Sequence, residues 1–171
     1  GNAYRAQHGI KTLSVILASV YGPNDNFDPL SAQVLSSMIR RFIEAKQKNS
    51  RQVVCWGSGS PTREFLHVRD AVTGLINAGI YYDSSDPINI GTQVELSIKK
   101  ITEIISTKCG FSGEIVWDLS KPDGRSRVCL DCSLMRKELP KWEIMSFESG
   151  IEDTISWYNN AVINFKPINT T

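Results

Sequence analysis

The 171 residues weigh 19.1 kDa and carry 19 Lys and Arg against 18 Asp and Glu, with 41% hydrophobic and 22% charged residues. A chain of this length buries roughly 70% of the surface it exposes when unfolded, so a core needs no disulfide or metal staple. The charge of +1 lacks the basic excess of a dedicated nucleic-acid or membrane binder. No apolar run reaches bilayer length, and polar Gly1 to Gly9 does not read as a secretion signal, so the expectation is a cytoplasmic protein.

The opening Asn2 to Gly9 reads as the end of a helix. Lys11 to Val20, with Leu13, Val15, Ile16 and Leu17 in near-continuous apolar order, predicts a strand covered on both faces. Gly, Pro and Asn make Tyr21 to Pro29 a loop. Ser31 is placed to cap a helix whose apolar stripe is Val34, Leu35, Met38, Ile39, Phe42 and Ile43. Gln52 to Trp56 predicts a strand, and Gly57 to Thr62 a turn. A helix over Val68 to Ile80 is supported by Ala71, Val72, Leu75 and Ile76, and a short strand follows at Ile88 to Ile90. Ser97 caps a helix carrying Ile98, Ile101, Ile104 and Ile105, which stops at Gly110. Glu114 to Trp117 reads as a strand, Leu119 to Arg127 as a loop and Ser133 to Leu139 as a short helix. The last helix, Phe147 to Ile163, turns Phe147, Ile151, Ile155, Tyr158 and Val162 inward. No internal repeat appears, and the alternation predicts an α/β architecture.

Motifs narrow the chemistry. Gly57-Ser58-Gly59-Ser60-Pro61-Thr62 lacks the third glycine of the dinucleotide fingerprint and sets Pro61 where a helix should open, so it reads as a turn. There is no phosphate loop of the G-x-x-x-x-G-K-[ST] kind and no G-x-S-x-G nucleophile elbow, and the only histidines are His8 and His67. Cys129 and Cys132 have the spacing of half a zinc site without a second pair, so all four cysteines are expected to be ordinary thiols. The sequon Asn169-Thr170-Thr171 reads as a chance match.

Three Gly- and Pro-rich segments follow strands, where open α/β sheets bind small molecules: Tyr21 to Pro29, Trp56 to Val68, and Ser120-Lys121-Pro122-Asp123-Gly124. Arg41 and Arg63 either form surface ion pairs or clamp a pyrophosphate. Trp56 either fills a core or stacks on a ligand ring, and Asp123 either shapes a turn or accepts ribose hydroxyls.

From Tyr4 to about Tyr158, these segments in this order resemble the C-terminal half of the GDP-L-fucose synthase family. These are the epimerase/reductases of GDP-4-keto-6-deoxymannose within the extended short-chain dehydrogenases. The most specific strings are Tyr21-Gly22-Pro23 with Asp25-Asn26-Phe27, Trp56 to Val68, and Ser120 to Gly124. The resemblance implies the C-terminal part of a Rossmann-type parallel sheet (residues 1–30) and a small mixed α/β region that binds the GDP-sugar (residues 31–171), with segments returning to the sheet. It implies Arg41, Trp56, Arg63, Lys121 and Asp123 as substrate contacts, and Leu17, Ala18, Ser19 and Val20 as backbone contacts to NADP(H), where the family usually has Pro-Thr-Asn-Leu.

Two departures from the family follow. Its acid/base histidine falls on Gln33, whose amide cannot exchange a proton near neutral pH, a loss worth about 10²–10⁴-fold. The family's glycine-rich cofactor loop, Ser, Cys and Tyr-x-x-x-Lys all lie upstream of Gly1, so this chain alone is expected to bind no cofactor and to be inactive. A missing N-terminal half or a full-length homologue is the implied partner, and family members are homodimers. The alternatives are a related GDP-4-keto-sugar reductase or epimerase with altered product, or a non-enzymatic remnant that binds a nucleotide sugar or a partner.

Overall fold

The computed structural model describes the backbone of residues 1–164 and the side chains of residues 1–161. Val162 and the sequon at Asn169 lie outside those described side chains. In chain order the elements are α1 (Asn2–His8), β1 (Val15–Leu17), β2 (Ser19–Tyr21), α2 (Val34–Gln47), β3 (Gln52–Trp56), β4 (Thr62–His67) and α3 (Val68–Tyr81). Then come β5 (Ile88–Ile90), β6 (Glu95–Ser97), α4 (Ile98–Cys109), β7 (Glu114–Asp118), β8 (Arg127–Val128), α5 (Ser133–Glu138) and α6 (Phe147–Asn164). The alternation expected of an α/β chain is present. The two-residue β8 falls inside the stretch read as loop, and β6 just ahead of Ile98 was not anticipated.

The single strand expected over Lys11 to Val20 is instead two strands that part at Ala18. β1 pairs in parallel with β5, while β2 pairs in parallel with β4. The Ala18 amide, at the fork, donates to the Ile90 carbonyl at 2.9 Å. Coverage on both faces does not hold either. Val15 and Leu17 pack toward a core formed by Ile88, Ile90, Leu66 and Met135, whereas Ile16, on the opposite side of the pleat, is 48% exposed. Strand β4 is the hub of the molecule, pairing parallel with β2 and β8 and antiparallel with β6, while β3 pairs in parallel with β7 alone.

Two cores result. The larger lies among α2, α4 and α6, where Leu35, Ile39, Phe42, Ile101, Ile105 and Ile151 are essentially inaccessible, each contributing about 1.5–3 kcal/mol by burial. The smaller joins β1, β5, α3 and α5. Helix α2 departs from expectation at its start. Gln33, not Ser31, is the N-cap, because the Ser31 hydroxyl is already engaged with Asp28 and Asn26 in the preceding turn. Val34 accordingly leaves the apolar stripe and is exposed.

Helix α3 also corrects its expectation. It buries its small residues, Ala71, Gly74 and Ala78, and turns Val72, Leu75 and Ile76 outward. Only a residue without a Cβ permits this approach at Gly74, where an added methyl would lie 2.6 Å from Ile90 Cγ2. Ser97 and Gly110 behave as read. The Ser97 hydroxyl accepts from the Lys100 amide at 3.1 Å, and Gly110 takes the left-handed φ of 67° that ends α4.

Candidate functional site: a cavity lined by three arginines

A cavity of about 610 Å³ opens between the N-terminal half of α2 and the β3–β4 turn. The turn Val34, Ser37, Met38, Arg41 follows i, i+3, i+4, i+7 spacing, which puts all four on the face of α2 that lines the cavity, joined by Arg40. Cys55 and Trp56 come from the end of β3, Gly59 and Pro61 from the turn, Arg63 from β4, and Asp123 from the loop after β7. Four residues predicted from sequence as ligand contacts, Arg41, Trp56, Arg63 and Asp123, therefore meet in one cavity. Lys121 stands at its edge, with Nζ 5.8 Å from the centroid of the Trp56 ring, a cation over an aromatic face.

Two of the arginines are held by backbone. Arg41 donates through Nη2 to the Val54 carbonyl, and Arg63 donates through Nη1 to its neighbour Thr62 O at 2.7 Å. Each keeps further N–H groups free for an anion, and a guanidinium fork suits a phosphate oxygen pair. Trp56 is 70% exposed and available for stacking. Behind it, burial raises the pKa of the Cys55 thiol, with Arg41 opposing, so that side chain is an uncharged wall.

Asp123 is tied in place. Its Oδ1 accepts from the Ser58 amide at 2.6 Å and its Oδ2 from the Ser58 hydroxyl at 2.8 Å, and the amide bond is the main cause that holds its carboxyl below the usual range. Gly57 allows this contact: its φ is 77°, and an added Cβ would lie 2.3 Å from Asp123 Oδ1. Gly59, with φ 73°, similarly abuts the Trp117 ring. The segment Gly57 to Pro61 is thus a turn that closes on a second loop, in keeping with its missing third glycine.

The remaining predicted positions lie elsewhere. Gln33, exposed at the N-cap of α2, is next to the cavity-lining Val34 but is not itself part of the wall. Leu17, Ala18, Ser19 and Val20 run through the β1–β2 fork, where the Ala18 amide is used by Ile90 and the rest enter the sheet. They lie along the end of β1 and the start of β2, where any contact to a cofactor would be through backbone.

His67 is buried against Tyr21, with ring centroids 5.4 Å apart. Its Nδ1 accepts from the Arg69 amide at 3.4 Å, which caps α3 and leaves Nε2 facing Asp153 Oδ2 at 3.4 Å. Burial depresses its pKa, with Asp153 and Asp70 opposing, so it packs as a neutral ring.

Sequence reasoning passed over Ser58, Ser37 and Arg40. The adjacent pair Arg40-Arg41 and the helical spacing from Val34 were the signals that would have found the last two.

Comparisons with known proteins bear on the family and the fold. A model of the NAD dependent epimerase/dehydratase family matches residues 2–91. "Probable GDP-L-fucose synthase 1" of Oryza sativa subsp. japonica is 42% identical over 164 residues, covering 96% of this chain and 50% of that protein. The GDP-L-fucose synthase of Escherichia coli (strain K12) is 36% identical over 165 residues, covering 91% and 51%. Among solved structures, a GDP-L-fucose synthetase from Naegleria fowleri bound to NADP superposes with a TM-score of 0.88 at 28% identity, covering 95% of this chain and 51% of its own. A GDP-6-OMe-4-keto-L-xylo-heptose reductase from C. jejuni gives 0.82 at 27%, covering 93% and 57%. The chain spans about half the length of the relatives it matches.

Proposed function

The chain belongs to the NAD dependent epimerase/dehydratase family, and from that membership we propose that it is the nucleotide-sugar-holding portion of a GDP-L-fucose synthase-like epimerase/reductase. The carrying observation is the convergence of Arg41, Trp56 and Arg63 on one cavity. In this reading the two guanidinium groups grip the diphosphate of a GDP-sugar, Trp56 with Lys121 offers a face to the base or ribose, and Asp123 closes the nucleoside end. The substrate class is supported by relatives whose names are GDP-L-fucose synthase. GDP-4-keto-6-deoxymannose is the substrate we infer.

Hydride transfer would come from NADP(H), which the N. fowleri relative binds. The 171 residues contain no Tyr-x-x-x-Lys pair and no complete glycine-rich fingerprint. We therefore assign cofactor binding and the proton donor for the sugar oxygen to residues outside this set, on a longer chain or on a separate partner. What these residues contribute is affinity and orientation. The expected pairing of complete enzymes as homodimers belongs to the same proposal, as does a division between a sheet remnant over 1–30 and a substrate region over 31–171.

Calorimetry with GDP, GDP-mannose and NADPH tests the reading. Binding of the two guanosine diphosphate ligands without NADPH binding is expected, and absence of GDP binding at millimolar concentration rejects it.

A second reading rests on Gln33. An amide at the family's histidine position cannot relay protons, which favours a reductase or one-centre epimerase with altered product, a class that includes the C. jejuni reductase. Product analysis after joining these residues to the cofactor-binding half of a relative distinguishes them: an unepimerised C4-reduced sugar supports the second reading, and GDP-fucose rejects it.

A further inference from the structure

Ser37 carries the only hydroxyl among the described residues that line the cavity. It is half-buried, and its amide donates to the Gln33 carbonyl at 2.9 Å, so its backbone is committed inside α2. Its hydroxyl has no such commitment. The helical threonines Thr73, Thr102, Thr107 and Thr154 each return the hydroxyl to the carbonyl four residues back, and Ser36 gives its own to Asp25. The Ser37 hydroxyl makes neither kind of bond among the described residues, and it belongs to the cavity wall.

Arg41 lies one helical turn further along α2, at i+4 on the same cavity-lining stripe. Helical side chains lean toward the N-terminus and cover the turn before their own, which brings the stem of Arg41 toward Ser37. The Arg41 guanidinium is fixed on the Val54 carbonyl through Nη2 and keeps its other N–H groups for an anion. The remaining side chains of α2 in the wall offer that anion little: Val34 and Met38 are apolar, and Arg40 is paired with Glu44. Ser37 is the neutral donor next to the charged one.

We propose that Ser37 is a further ligand-binding residue, whose hydroxyl donates to a phosphate oxygen of the nucleoside diphosphate held by Arg41. The inference rests on the sugar-nucleotide reading above. It seats the diphosphate against α2, since a side chain as short as serine reaches only an oxygen that approaches the helix surface.

The test uses the full chain, unaltered and as Ser37→Ala and Ser37→Asp, with GDP binding read by calorimetry and guanosine binding by saturation-transfer NMR. Alanine is the best helix former and removes only the hydroxyl, so the unfolding midpoint is expected to hold. Expected for Ser37→Ala is a loss of about tenfold in GDP affinity, the worth of one hydrogen bond to a charged group. For Ser37→Asp a loss of about a hundredfold is expected, because a carboxylate then faces the phosphate. Guanosine, which has no phosphate, should bind all three within about twofold. GDP affinity unchanged in Ser37→Ala, guanosine binding lost in step with GDP, or a lowered unfolding midpoint in Ser37→Ala overturns the assignment of Ser37 while leaving the sugar-nucleotide reading in place. Failure of the unaltered chain to bind GDP rejects that reading, and the assignment with it.

Discussion

Arg63 occupies the point where a strand end, a turn and a loop meet: one of its N–H groups is fixed on Thr62 O, and its Nη2 would lie 3.9 Å from a Cβ added at Gly124. Because its backbone anchor pre-sets the fork, little side-chain freedom is lost when an anion binds. Arg63→Ala is expected to weaken GDP binding by roughly tenfold or more, read by calorimetry, since a charge-assisted bond to phosphate disappears. Its motif was legible in sequence. What the sequence did not carry was that Asp123 and Ser58 hold one another, because their sequence separation of 65 residues leaves no local signal. Gly59 illustrates the same point. Its φ of 73° and the Trp117 ring 2.6 Å from an added Cβ make Gly59→Ala strained and overpacked, with an expected loss of about 1–3 kcal/mol in chemical denaturation.

At the scale of elements, α2 serves both core and cavity. Its inner face sets Phe42 against Phe111 with centroids 5.5 Å apart, and its outer face presents Ser37 and Arg41. Phe42→Ala should cost about 3–5 kcal/mol and lower the unfolding midpoint. Helix α3 gives a pH prediction. His67 accepts the Arg69 amide only while neutral, and burial puts its folded pKa below the ordinary 6.5. Its contribution is thus fully present above about pH 6.5 and is lost as the pH falls from there through the depressed value, since the unfolded state binds the proton first. Denaturation followed between pH 7.5 and 5 should show this decline, and His67→Asn, which can still cap, should flatten it.

Helices with regular apolar spacing, such as α4, were readable from sequence because one stripe faces one core. The face of α3 was not. Periodicity finds a stripe of large residues and cannot tell that the neighbouring stripe of Ala and Gly is the one that a strand approaches. The strand over Lys11 to Val20 failed for a related reason: a change of pairing partner at one alanine leaves the apolar pattern unaltered.

Across the whole molecule, some of the apolar side chains left uncovered among the described residues, such as Leu30 and Leu119, are scattered over loops, while a group of them lies on two neighbouring elements. Ile16 stands out from β1, and Val72, Leu75, Ile76 and Ile80 stand out from α3. A surface of that kind favours association. Sedimentation of the 171-residue chain is expected to show concentration-dependent self-association, reduced by the double substitution Leu75→Glu with Ile76→Glu. A monomer at all concentrations would contradict this. The α/β class and the meeting of three sequence-distant motifs could be anticipated because strand ends collect ligand loops. The unequal covering of the sheet could not, since it depends on which surfaces find a neighbour in space.

The bond between Ser58 and Asp123, with Gly57 permitting it, makes the two rims of the cavity a single inherited part. A protein engineer exchanging one of these loops for that of a relative would separate a lock from its key. Both segments would have to be transplanted together, with their lengths matched, for a hybrid to keep its grip.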